Sequence, residues 1–290
     1  MTVSARMGPR TKRSRLWRAL RRTPLGARIG LLVIAAYLLA AVLASVVAPF
    51  GQAEIVSPES FGTWSPKFLL GTDQLGRDVF SRLIYGAQNS LGIALVTTIL
   101  AFLIGGSTGI YAALSRGWID QALSRVIDVL MAIPQLVFAL VLLAIFGTSV
   151  LNLILIIAGL DATRVFRLSR SVAMNVVVMD FVEAARLRGE RRWWILLHEI
   201  LPNVLPTLVA EFGLRFCFVF LTISALSFLG VGIQPPTADW GSMVRETATL
   251  ITYGDITPLL PAAAIALLTV GVNIVVDWYL HVISGLRDDA

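Results

Sequence analysis

Gly105-Gly106-Ser107-Thr108-Gly109 has the G-x-S-x-G spacing of an activated serine nucleophile. That chemistry needs the serine on a sharp strand-to-helix turn and a histidine base within hydrogen-bond reach. The chain has two histidines, His198 and His281, and one cysteine, Cys217. An intramembrane serine protease would have to pair Ser107 with His281. The pentapeptide lies instead inside a long apolar stretch, where small residues let neighbouring helices approach closely. Packing is therefore the expected role of Ser107 and its glycines. The histidine and cysteine spacing forms no H-E-x-x-H or C-x-x-C pattern, so no metal site is expected. A lone cysteine also excludes an internal disulfide. Lys12 and Lys67, preceded by Thr11 and Pro66, are the only lysines. Neither completes a G-x-x-x-x-G-K-[ST] phosphate loop, so this chain is expected to bind no nucleotide or other cofactor and to hydrolyse no ATP itself.

The other chemistry-bearing residues are charges embedded in apolar segments: Asp128, Asp161, Glu211, Arg215 and Asp277. Charge at membrane depth is costly and marks ion or substrate paths by default, although such groups also merely neutralise one another. Asp161 and Arg164 have the spacing of a helical pair, as do Glu211 and Arg215, the latter in the favourable acid-first order. All five residues are candidates for a translocation path. A stand-alone ion-coupled carrier would use Asp128, Asp161 and Asp277 as proton or cation sites.

The elements that position these groups follow from composition. Of 290 residues, 57% are hydrophobic and 14% charged, and the mean hydropathy is +0.79. A soluble domain carries about 25% charged residues, so this is an integral, all-α membrane protein. The net charge of +6 sits in patches beside apolar runs, which points to membrane topology and away from nucleic acid. Six spans are expected, at 29–48, 90–114, 126–146, 150–168, 206–229 and 258–283. Pro134 should kink the third. Residues 1–28 are a basic tail whose Leu16, Trp17 and Leu20 suit the anionic cytoplasmic lipid surface. Residues 29–85 hold the first span and an outside segment, and 86–290 a five-helix core. Arginines crowd the N-terminus and the 116–125 and 164–192 loops, while Lys67, Arg77, Arg82 and Arg245 fall on the other side. That asymmetry puts both termini in the cytoplasm.

Between the fourth and fifth spans, Phe181–Pro206 reads FVEAARLRGERRWWILLHEILPNVLP. Ala184, Ala185 and Leu187 favour helix, Gly189 allows a sharp turn, and a second amphipathic segment carries Trp193 and Trp194 up to Pro202 and Pro206. A basic, tryptophan-bearing helix–glycine–helix lies well at a membrane surface and presents a face to a partner.

Glu183-Ala184-Ala185, Gly189 and Ile200-Leu201-Pro202, in a loop at 169–206, resemble the EAA loop of bacterial ABC-importer permeases. Two further blocks are similar to their dipeptide/oligopeptide/nickel branch: Gly71-Thr72-Asp73 through Gly76-Arg77-Asp78 and Ser81-Arg82 to Gly86, and Ser227-Phe228-Leu229-Gly230 through Gln234-Pro235-Pro236 to Trp240-Gly241-Ser242-Met243. Asp73 and Asp78 are placed to cap helix starts, so the first block is expected to be structural. The chain departs from the pattern at Ile223, Arg215 and its short C-terminal end. The resemblance implies a type I importer permease fold in the bacterial inner membrane. It implies a related, non-identical permease as heterodimer partner, two ATP-binding subunits that hold ATP and Mg, and an extracytoplasmic solute-binding protein. It implies that the ATPase contacts are made by Glu183, Ala184, Ala185, Arg188, Gly189, Trp193 and Pro202. Peptides, glutathione-like compounds and nickel chelates are the implied cargo.

Overall fold

The computed structural model describes residues 24–115 and 117–284. Of the basic tail expected at 1–28, residues 1–23 lie outside it and the rest leads into the first helix, which starts at Leu25; the last residues, 285–290, also lie outside it.

The organising element is α3, Val79–Ser115, reached after α1 (Leu25–Val42) and α2 (Ala44–Val47). Its 37 residues measure about 55 Å at 1.5 Å per residue, well beyond a bilayer hydrocarbon core of about 30 Å. It begins eleven residues before the expected start. Asp78 accounts for this: its carboxylate accepts from the Ser81 amide at 2.8 Å and the Ser81 hydroxyl at 2.7 Å, capping the first turn.

The partner of α3 along its second half is α6, Val150–Val177. A side chain added at Gly105 would meet the Ala162 carbonyl oxygen at 2.3 Å, and one at Gly109 the Phe166 oxygen at 2.6 Å. Ala158, Ala162 and Ser169 complete a seam of small buried residues. Backbone-to-backbone approach of this kind is what small residues provide where lipid supplies no hydrophobic drive between helices. Gly105→Ala should force the two helices apart at a cost of about 1–3 kcal/mol, typical of overpacking. Thermal unfolding in detergent, with the exposed Gly92→Ala as control, reads that cost.

The third expected span is two helices. α4 (Gly117–Ala132) and α5 (Gln135–Phe146) meet at 89°. Pro134 disfavours helical backbone at the preceding residue and starts α5, its carbonyl accepting from the Phe138 amide. Gly117, at φ +67°, makes the tight turn out of α3, so the expected loop at 116–125 is mostly helix. α4 buries none of its residues in this chain and is tied down by a bidentate pair from Arg170 of α6 to Asp120.

After α6 come α7 (Asp180–Leu187), α8 (Arg192–Ile195), a π-helical turn (Leu196–Ile200) and α9 (Leu201–Phe228). Pro202 and Pro206 do not end the segment as expected. Pro202 sits in the first turn of α9, where its missing amide costs nothing, and Pro206 is carried inside the helix. α10 (Trp240–Thr247), a 3-10 turn (Ala248–Tyr253) and α11 (Leu259–Ser284) complete the chain. The described residues contain no strand, only two isolated bridges.

Among the described residues, four helices qualify as membrane spans by length and apolarity, or five if the bent α4–α5 pair crosses as one. α6 does not qualify, because Asp161, Arg164 and Arg167 fall in its middle. Apolar burial divides between the two ends of α3. Val79, Ala87, Leu91, Phe220, Ile223 and Trp240 pack at the α10 end. Ile110, Leu114, Val177, Val182, Ala185, Ile195 and Ile200 pack at the α7 end.

Candidate functional site

At the α7 end, a helix–turn–helix packs against the ends of the long helices. α7 closes with a Schellman-type turn: the Glu190 amide donates to the Ala185 carbonyl at 3.2 Å and the Gly189 amide to Arg186 at 3.0 Å. Gly189 holds φ +80°, a left-handed conformation that other residues adopt only at a cost. The space around its Cα is open within this chain.

One face of this helix–turn–helix is buried. Val182, Ala185, Ile195, Leu196 and Ile200 lock it onto the ends of α3, α6 and α9. Tyr111 of α3 stacks on Trp193 with ring centroids 5.5 Å apart, and Trp194 stacks on His198 at 4.8 Å. The opposite face carries Glu183, Ala184, Arg186, Leu187 and Gly189, all exposed. Leu187 is 84% exposed, an apolar tip without a neighbour to cover it.

Among the residues expected at a docking face, Glu183, Ala184, Arg188, Gly189 and Trp193 are therefore on the surface, as is Pro202 at the base of α9. Ala185 is not: it is fully buried and anchors the loop. Helical spacing explains this, since Val182 and Ala185 lie i, i+3 on the apolar stripe while Glu183 and Ala184 fall beside it. Leu187 was missed by sequence reading, because only the observed turn shows that it points away from the core.

The five membrane charges separate into a group and two outliers. Arg215 donates to Glu211 at 2.6 Å and reaches the Asp161 carboxylate at 3.9 Å. Asp161 is 1% exposed, and neither oxygen accepts a hydrogen bond. The expected Asp161–Arg164 pair is replaced by this contact across helices. Asp128, on α4, and Asp277, on α11, are exposed and outside the group. The three aspartates do not converge on one cation site.

Ser107 donates to the Leu103 and Ile104 carbonyls of its own helix. It lines an apolar groove with Phe102, Ile110, Trp193 and Leu208 that contains no histidine, while the His281 ring contacts the Asp277 carbonyl at 2.7 Å. Ser107→Ala should leave the protein's activity unchanged within about twofold, since an exposed serine bonded to its own helix contributes little. Uptake rates of the two proteins compare this directly.

At the α10 end, the two sequence blocks similar to the dipeptide/oligopeptide/nickel branch form one unit. Arg77 pairs with Asp73 at 2.7 Å and with Glu246 at 3.2 Å. Arg82 pairs with Glu246 at 3.0 Å and with Asp73 at 3.4 Å. All four side chains are at most 5% exposed. Trp240 fills the space beside Gly86, where a Cβ would meet its ring at 2.6 Å, and its indole donates to the Leu83 carbonyl. Asp239 caps α10 through the Ser242 amide and accepts from Ser90 of α3 at 2.8 Å. Burial raises the Asp239 carboxyl above the ordinary carboxylate range, against the hydrogen bonds that pull it down. Asp78 caps a helix as expected; Asp73 instead caps a turn, through the Leu75 and Arg77 amides, and joins the ion cluster.

Residues 105–285 match the family described as binding-protein-dependent transport system inner membrane component. The dipeptide transport system permease protein DppC of Alkalihalophilus pseudofirmus is 32% identical over 260 residues, 90% of this chain and 83% of that protein. The di/tripeptide transport system permease protein DppC of Pseudomonas aeruginosa is 33% identical, over 91% and 86%. The glutathione transport system permease protein GsiD of Pectobacterium atrosepticum is 33% identical, over 76% and 70%. Extent and identity together place the chain as a multi-pass transport permease and not an enzyme; it belongs to the family of inner-membrane components of binding-protein-dependent transport systems.

Proposed function

We propose that this chain is the membrane-spanning permease of an ATP-driven importer of short peptides or glutathione-like solutes, worked from the cytoplasm through the α7–Gly189–α8 loop. The observation that carries the reading is the loop itself: one face is fixed into the bundle by five buried side chains, and the other is exposed among the described residues. A rigid lever of this kind transmits motion only if something grips its free face. The sequence has no phosphate-binding loop of its own, so the energy source is a second chain that binds ATP and Mg. Glu183, Ala184, Arg188, Gly189, Trp193 and Pro202, joined by Leu187, form the docking face. Six crossings with both termini inside put that face in the cytoplasm, with α6 crossing despite its charges because it is packed among other helices.

The peptide class follows the names of the relatives. A related, non-identical permease covers the exposed sides of α4. An extracytoplasmic solute-binding protein meets the α10 end, and lipid the remaining surface. A cysteine at Ala184 tests the docking directly, because the native Cys217 is buried. Its cross-linking to an ATP-hydrolysing chain is the expected result. Labelling of Ala184→Cys from the cell exterior by a membrane-impermeant thiol reagent would overturn it.

A further inference from the structure

Arg215 stands between two carboxylates on different helices, at 2.6 Å from Glu211 on α9 and 3.9 Å from Asp161 on α6. The first is a direct charged hydrogen bond. The second falls about 1 Å outside the 2.7–2.9 Å of such a bond. Asp161 is nonetheless sealed from solvent with both oxygens unpartnered, an arrangement that costs free energy wherever the carboxylate is charged. Neighbouring Arg164 makes no hydrogen bond to either oxygen. A shift of about 1 Å between α6 and α9, within the range of helix shifts at interfaces, would convert the loose contact into a direct one.

The position of the group says what drives that shift. α6 ends at Val177 and α7 begins at Asp180; the π-helical turn after α8 runs directly into α9. The docking loop is thus the link between the two helices that carry the charges. Asp161 lies about 24 Å along α6 from the loop, and Arg215 about 21 Å along α9, at 1.5 Å per residue. Anchoring by Val182, Ala185, Ile195 and Ile200 ties any displacement of the loop to the ends of both helices. The Arg215 guanidinium also lies over the Phe218 ring at 5.5 Å, which holds it on α9 as α6 moves.

We infer that Asp161 and Arg215 are positioning residues of the coupling step: their ion pair is loose in one state of the transport cycle and closed in the other, with Glu211 as the competing partner that keeps the closed state from being a trap. The inference rests on the proposed function, because it assigns the driving motion to an ATP-hydrolysing partner. Sealed burial distinguishes this role from substrate contact, which would need Asp161 open to a cavity.

The test uses the complete importer in proteoliposomes, with all partner chains, measuring ATP hydrolysis and uptake of a labelled dipeptide together. Asp161→Asn removes one closed-state partner. It is expected to raise ATP hydrolysed per dipeptide taken up by about fivefold, the lower end of coupling between sites. Glu211→Gln removes the competitor and should slow hydrolysis and uptake in parallel, leaving their ratio unchanged. A merely structural role would lower the amount of assembled complex without separating the two rates. An unchanged ratio in Asp161→Asn, or the same change of ratio in both variants, overturns the inference. Should Asp161→Asn not assemble, Asp161→Glu decides: its longer side chain spans the gap, so slowed turnover at constant ratio supports the inference and wild-type turnover overturns it. A wild-type complex without ATP-dependent uptake of either a dipeptide or glutathione would instead refute the proposed function, which separates the two failures.

Discussion

Gly189→Asp is expected to abolish uptake while leaving the protein inserted and folded. Two physical terms separate at this position. Within the chain, φ +80° penalises a side chain by about 1–2 kcal/mol, and Asp tolerates that region better than most residues. Nothing within 4 Å of the added Cβ belongs to this chain, so the substitution creates no internal clash. The Schellman hydrogen bonds at Ala185 and Arg186 hold the turn in place. The new carboxylate therefore projects from the proposed docking face and meets whatever covers it. A loss of about 1.4 kcal/mol at that contact is a tenfold loss of binding, and uptake should fall by at least that factor. Gly189→Asn, similar in shape and backbone tolerance but neutral, should lose less. Uptake assays with membrane yield as control check both. Equal, near-normal uptake in both variants would mean that nothing docks at this turn.

The second large effect is expected at the opposite end. Glu246→Ala leaves Arg77 and Arg82 sharing the single carboxylate of Asp73, both buried. Removing one member of a buried ion cluster typically costs about 3–5 kcal/mol, because an uncompensated charge stays behind. The contrast is Arg188→Ala on the loop, where the pair with Glu199 is 3.5 Å long and the arginine about half exposed; exposed pairs contribute about 0–1 kcal/mol. Thermal unfolding in detergent should show a much larger loss for Glu246→Ala. The cluster joins α3 and the segment before it to α10, across more than 160 residues of sequence, so its failure should loosen α10 on α3 while the Asp239–Ser90 and Trp240–Leu83 hydrogen bonds remain. Comparable melting of the two variants would show that the cluster is solvated and not a clasp.

How much of this was legible beforehand depends on the range of the forces involved. Asp78 and Ser81 are three residues apart, and a cap is read locally. The Gly189 turn was equally visible, because only the few residues around it decide its geometry. The outer clasp was not, even though Asp73, Arg77, Arg82 and Glu246 all stood in plain sight. Two arginines facing Glu246 across more than 160 residues is a tertiary fact, and each block alone reads as a turn. Asp161 went the same way: Arg164 was the partner at helical spacing, while Arg215 reaches it only because α6 and α9 lie side by side. Pro134 was read as a kink, yet the arm before it, α4, is amphipathic and lies almost at right angles to α5. Pro202 and Pro206 were read as stops, where one occupies a first turn that needs no amide and the other is tolerated inside the helix. Ala185 shows the limit within the best-read segment. Its place in the block was clear, but which face turned inward required the core formed by Ile110, Val177 and Ile200.

Reconstitution with and without ATP inside the compartment that faces the loop tests the central claim most directly. The complete importer should accumulate labelled dipeptide only when ATP is present on that side, and this chain reconstituted alone should accumulate none. Accumulation by the isolated chain, or by the importer supplied with ATP only on the α10 side, would contradict the account.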